Sequence, residues 1–155
     1  MAGTLKCMDA EISHFLEAAV SGVVVNVASV CGEVAYCSPP FLYGVSKAAV
    51  ISATRQAALS YAPHGIRVAA LDPGAVNTTL LRGGRSPTDP VWLATRRSLE
   101  AMIPQSRISE PWEMAGPITF LASDTGHGQL RDGRDRHGGR GFRAERPGRE
   151  ARRGG

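Results

Sequence analysis

Apolar residues recur at three- and four-residue steps near the start of this chain. Leu5, Met8, Ile12, Phe15, Leu16 and Ala19 share one face of a helix predicted over roughly residues 4–20. Ser21-Gly22 ends the pattern, and Val23 to Ala28 form a β-branched run that is apolar on both faces. Strands of that kind lie in parallel sheets between helix layers. After a loop from Ser29 to Pro40, the helical period returns from about Phe41 to Tyr61 and stops at His64-Gly65. Ile66 to Leu71 make a second buried-type strand, closed by Asp72-Pro73-Gly74. Residues 76–90 are polar and rich in Gly and Pro, with a helical stretch after Val91 and a loop from Ile103 to Glu110. A last helix is predicted from Pro111 to Ala122, with Ser109 as its N-cap and Pro in its first turn.

Helix–strand–helix–strand–helix with short links implies parallel strands in a layered α/β fold. The expectation is therefore that Val23–Ala28 and Ile66–Leu71 are adjacent and parallel, with helix 41–61 crossing between them. Composition changes the picture only at the C-terminus. The chain of 155 residues carries a net charge of +4, yet from His127 onward nine Arg face four acids. The rest holds 18 − 9 = 9 basic and 14 − 4 = 10 acidic residues, so the body is near neutral. Residues 127–155 are Arg- and Gly-rich with almost no apolar side chains, and disorder is expected there. The folded portion is placed at residues 1–126. Cys7, Cys31 and Cys37 show neither metal spacing nor a disulfide framework, and reduced thiols in a cytoplasmic protein are expected. No run approaches a membrane span, and no secretory leader is recognisable.

Three residues carry a candidate chemistry. Ser29 falls at the C-terminal end of the first strand, where ligands bind in open α/β sheets. Tyr43 and Lys47 are four apart near the start of the second helix, on one face. A cation held near a phenol favours the phenolate, which makes a better base near neutral pH. A serine hydroxyl can donate to an alcohol or carbonyl oxygen. These are parts for moving a proton on or off an oxygen while a hydride moves elsewhere. Asn26, mid-strand, is read as structural. Trp92 and Trp112 either shape a substrate mouth or cover the core.

The stretch VVVNVAS, then Tyr-Gly-Val-Ser-Lys fourteen residues after the serine, then IRVAALDPGAVNT, resembles the short-chain dehydrogenase/reductase family over roughly Gly3 to Gly126. The resemblance implies a partial Rossmann-like parallel sheet with flanking helices. It implies that Ser29 positions the substrate oxygen and that Tyr43 is the general acid/base. Lys47 would assist the tyrosine's ionisation and hold the nicotinamide ribose hydroxyls. Pro73, Gly74, Val76 and Thr78 match the segment lining the nicotinamide, and residues 77–105 match the substrate loop. The implied cofactor is NAD or NADP, and the implied substrate a small alcohol or ketone. Homo-oligomers through the family's helical interfaces are implied as well.

The departures from that family are large. Its glycine-rich phosphate turn is absent, as are the NAD/NADP-selecting residue and the Asn-Asn-Ala-Gly strand. Only 28 residues precede Ser29, so the N-terminal nucleotide-binding strands are expected to be missing. The tail also departs. Residues 127–141 can be written with codons that, read one base later, give Thr-Gly-Asn-Tyr-Val-Thr-Gly-Ala-Thr-Val-Thr-Val-Asp-Gly-Gly, a strand of the family's kind; a frame-shifted tail is the preferred reading. The expected function is an NAD(P)-dependent oxidoreductase present as a truncated, inactive fragment. One alternative is a non-catalytic fragment that associates with full-length homologues. Another is a nucleic-acid binder acting through the Arg-rich tail, disfavoured because Phe142 is the tail's lone aromatic.

Overall fold

The computed structural model describes residues 1–35 and 41–124. The order is α1 (Ala2–Glu17), β1 (Gly22–Val27), α2 (Phe41–Tyr61), β2 (Ile66–Leu71), α3 (Pro90–Met102) and α4 (Ala115–Ala122). Short 3₁₀ turns lie at Val30–Gly32, Ala62–His64 and Pro111–Met114. Both β-branched runs are strands, and they pair in parallel from Gly22↔Ile66 to Val27↔Leu71. The expectation for Cys37 and that for residues 127–155 lie outside the described residues.

Strand alternation sorts the sheet into two faces. Val24, Ile66 and Val68 are buried on one face together with Met8 and Ile12 of α1 and Ala57 of α2. Asn26 shares this face and is buried without being apolar. Its Nδ2 donates to Thr54 Oγ1 of α2 at 2.9 Å and to Met8 Sδ of α1 at 3.4 Å. Thr54 Oγ1 in turn donates to the Val50 carbonyl at 2.8 Å. A buried amide left unpaired would be costly, so this relay fixes how both helices sit on β1.

On the opposite face α4 lies against both strands. Arg67, on β2, reaches the helix end: its Nη1 donates to Leu121 O at 3.1 Å, and its Nη2 to Ala122 O at 3.4 Å and Ser123 O at 3.0 Å. The last carbonyls of a helix lack intrahelical donors and carry the negative end of its dipole, so a guanidinium is the matching partner.

The first strand runs one residue earlier than expected, Gly22–Val27 rather than Val23–Ala28, and the helix boundaries differ further. The first helix ends at Glu17 rather than near Val20. Ala19 takes the left-handed conformation at φ 53°, its N–H donates to Leu16 O, and the Val20 N–H donates to Phe15 O. That paired closure is a Schellman motif, which uses Val20 as a cap donor rather than a helical residue. The predicted helix 111–122 is split into a 3₁₀ turn and α4, because Pro117 has no N–H and its ring would crowd the carbonyl one turn earlier. Ser109 is not the N-cap. Its N–H donates to Ala75 O and its carbonyl accepts from the Asn77 N–H, so the cap moves to Glu110.

Arg67→Ala should lower stability by about 1–2 kcal/mol through loss of these carbonyl bonds. The urea midpoint measures it, and amides of residues 119–122 should exchange faster than those of β1.

Candidate active site at the strand ends

The two strands leave the sheet together. Ala28 N–H donates to Leu71 O at 2.8 Å, and Val30 N–H donates to Pro73 O at 3.1 Å. Between these bonds stands Ser29, buried, with extended backbone. It caps the turn Val30–Gly32, and its Oγ accepts the Cys31 N–H at 3.2 Å. That bond uses a lone pair of the hydroxyl and leaves its proton free to be donated.

Glycines bring α2 onto this turn. A Cβ on Gly32 would stand 2.7 Å from Ala48 N and 2.8 Å from Lys47 C, and one on Gly44 would stand 2.9 Å from Cys31 O. The helix backbone therefore rests against the turn that Ser29 caps. From this position Lys47 Nζ donates to Val27 O at 2.9 Å and lies 5.7 Å from the centroid of the Tyr43 ring. An ammonium has three protons, so two remain for a ligand. Among the described residues the half-buried Tyr43 has no hydrogen-bond partner for its hydroxyl, while its carbonyl accepts from Ser46 Oγ at 2.7 Å.

The segment after β2 has its own bracing. Val76 forms a parallel bridge with Ser109, and Thr78 Oγ1 accepts the Leu81 N–H at 3.2 Å. Of the four sequence candidates here, Pro73 is tied to the Ser29 turn, whereas Val76 and Thr78 are tied to residues 81 and 109. Gly74 is exposed, and a Cβ there would meet nothing within 4 Å. Among the described residues no cluster of His, Cys, Asp or Glu could hold a metal ion.

Sequence reasoning passed over several participants. Asp72 follows β2 directly and counts among the exposed residues, yet partial burial raises its carboxyl above the usual aspartate range. Glu33 adds to the rise, and Arg55 and Lys47 oppose it. Glu33 is itself paired with Arg55 at 2.9 Å. Asn77, Arg82 and Glu110 form a hydrogen-bonded cluster between the two segments. A glycine in the first turn of α2, Gly44, was a local signal of close approach, since it costs helix stability. Of the two tryptophans, Trp92 is buried in α3, while Trp112 is exposed.

The sequence model described as enoyl-(acyl carrier protein) reductase matches residues 1–129. Cis-4-hydroxycyclohexanecarboxylate dehydrogenase of Sinomonas cyclohexanicum is 39% identical over 124 residues, which is 80% of this chain and 46% of that protein. The solved structure of ElxO with NADP bound superposes with a TM-score of 0.65 at 28% identity, covering 79% of this chain and 47% of the other. A 3-oxoacyl-[acyl-carrier protein] reductase from Brucella melitensis, solved with bound NAD, gives a TM-score of 0.65 at 28% identity and covers 80% and 42%. The chain thus spans a little under half the length of the proteins it matches.

Gly32→Ala should destabilise the chain by about 1–3 kcal/mol, because the methyl meets α2 backbone that cannot rotate away. Gly74→Ala should stay within about 0.5 kcal/mol in the same urea experiment. Asp72 carries a pH signature. Its pKa is raised by folding, so the ionised form disfavours the fold. The penalty is absent below the unfolded value of 3.8, grows as pH rises through the folded value, and is constant above it. Asp72→Asn should therefore raise the urea midpoint at pH 7 and leave it unchanged at pH 3.

Proposed function

The chain belongs to the short-chain dehydrogenase/reductase family, and on that premise we propose that it carries the proton-transfer part of an NAD(P)-dependent oxidoreductase acting on a secondary alcohol or ketone. One observation carries the reading: Lys47 is bonded to the carbonyl of Val27, the last residue of β1 and two before Ser29, and lies beside the Tyr43 ring.

The residues fit a nicotinamide nucleoside. Lys47 has two N–H donors to spare for the vicinal ribose hydroxyls, and Gly74 leaves open space at the end of β2. When bound, NAD or NADP supplies the hydride acceptor or donor. In the oxidative direction Ser29 donates its hydroxyl proton in a hydrogen bond to the substrate oxygen. Tyr43 removes the alcohol proton as the carbon gives up its hydride. Lys47 stabilises the phenolate and holds the ribose. In reduction Tyr43 returns the proton to the developing alkoxide, and Ser29 keeps that oxygen in place.

A polypeptide of these 155 residues alone is read as inactive. The pyrophosphate of a dinucleotide is ordinarily held at a helix N-terminus behind a glycine-rich turn, and these residues contain no such turn. Binding energy from the remote half of a cofactor is what positions its reacting ring. A second reading, association with another copy or a full-length relative, is favoured by one feature of α2. Phe41, Val45 and Leu59 lie exposed along one face of that helix with Ala48 and Ser52 between them.

Expressed alone, the chain should show no turnover with a panel of ketones and secondary alcohols. Fluorescence titration should show no micromolar binding of NADH or NADPH. Saturable micromolar binding with turnover abolished by Tyr43→Phe would overturn the inactive reading. In a complete protein containing this segment, Tyr43→Phe should reduce kcat by at least about 10²-fold with cofactor affinity nearly unchanged.

A further inference from the structure

Residues 79–108 make a long excursion between the end of β2 and the turn before α4. It contains α3, and Trp92 and Ile108 within it are fully buried. Its two ends meet at one place. Val76 pairs with Ser109, the Asn77 N–H donates to Ser109 O at 2.8 Å, and the Ser109 N–H donates to Ala75 O at 3.0 Å. Side chains lock this junction. Asn77 Nδ2 donates to both carboxylate oxygens of Glu110 at 3.1 Å. Asn77 Oδ1 accepts from Arg82 Nη1 at 2.9 Å, and Arg82 Nη2 donates to Thr79 Oγ1 at 3.3 Å.

Glu110 is held in turn. Its N–H donates to Glu113 Oε2 at 2.6 Å, and both Glu113 oxygens accept from the Arg107 guanidinium at 2.7 and 2.8 Å. That fork keeps the Glu113 carboxyl at about 2, well below the ordinary glutamate range, with the Arg107 bonds as the main cause and the Glu110 N–H adding.

We infer that Asn77 and Glu110 are positioning residues, a clasp at the base of the excursion that holds Thr78 and the preceding Pro73–Val76 segment in place for a nicotinamide. The inference rests on the function proposed above. The geometry carries it in two ways. The backbone bridge alone allows rocking about the Val76–Ser109 axis, and the bonds of Asn77 to Glu110 and Arg82 lie beside that axis and oppose it. Asn77 also adjoins Thr78 directly, and the Thr78 carbonyl accepts the Arg82 N–H at 3.0 Å, so a displaced Asn77 takes Thr78 with it. The amide is the right group because it faces a carboxylate with its nitrogen and a guanidinium with its oxygen.

The test is an NMR titration of the labelled 155-residue chain with reduced nicotinamide mononucleotide, which carries the ring and ribose without the adenosine half. In the unmodified chain the Lys47 and Thr78 amide signals should shift together. Asn77→Asp sets two carboxylates against each other and should weaken binding about tenfold, equal to about 1.4 kcal/mol. Combining Asn77→Asp with Glu110→Gln restores an amide–carboxylate pair of reversed polarity, and affinity should return to within about threefold of the original. Hydrogen exchange along the β1–β2 ladder should be the same in all three proteins. Unchanged affinity in Asn77→Asp, or a double variant as weak as the single one, would overturn the clasp. Faster ladder exchange in Asn77→Asp would reduce it to general stability and overturn the positioning role. If the nucleotide at millimolar concentration shifts neither Lys47 nor Thr78 in the unmodified chain, the assignment of these residues to a nicotinamide site falls and takes the clasp with it.

Discussion

The rest of the site depends on how closely the backbone of α2 approaches the turn that follows β1. Gly32 and Gly44 allow that approach, since a Cβ at either would stand under 3 Å from backbone of the facing segment. Helix position sets the reach of every side chain near its start. A displacement of α2 by the width of a methyl group would take Lys47 Nζ off the Val27 carbonyl and away from the Tyr43 ring. It would also strain the Asn26–Thr54 bond further along the same helix. The buried relay and the candidate site are thus two consequences of one contact.

Much of this was legible in the sequence because it follows from periodicity. The β-branched run before Ser29 and the run Ile66–Leu71 are read as strands from their residue types, although Val27 at the end of β1 is exposed. Their separation by a helical stretch forces a parallel crossover. Tyr43 and Lys47 share a helix face by spacing alone. What escaped was set by backbone geometry and by contacts between segments. Nothing in the residue types of Ala18-Ala19-Val20 announces a Schellman closure, because alanine replaces the usual glycine at the left-handed position. Ser109 looked like a cap, but its peptide groups were already committed to Ala75 and Asn77, more than thirty residues away. Asn77 and Glu110 met for the same reason. Each is an ordinary loop polar residue until the bridge at Val76 brings their segments together.

The layering also explains which polar groups the fold tolerates inside. Asn26 and Arg67 occupy opposite faces of the two-stranded sheet, and each is matched to its surroundings. The amide meets a hydroxyl that already has an acceptor one helical turn back, so both are satisfied. The guanidinium meets the carbonyl end of α4, where its charge opposes the helix dipole. Exchanging the two would break both matches: the Asn26 position is too enclosed for a charge, and the short amide at position 67 would not replace a guanidinium that reaches three carbonyls.

In the proposed function, proton and hydride handling would fall on successive strand ends. Ser29, Tyr43 and Lys47 belong to the end of β1 and the helix that follows it, a local unit whose geometry is set by residues close in sequence. Pro73 to Thr78 follow β2 and take their bracing from residues 81, 109 and 110. The two groups are joined by few bonds, chiefly the ladder and the contact of the Val30 N–H with the Pro73 carbonyl. Such a division would let the residues proposed for proton transfer stay on the sheet while the segment proposed to face a nicotinamide is adjusted through a separate loop. It follows that changes in the excursion 79–108 would alter what is held beside the site more than the placing of Tyr43 and Lys47, because the close α2–turn contact is made by Gly32, Gly44, Cys31, Lys47 and Ala48, all outside that loop.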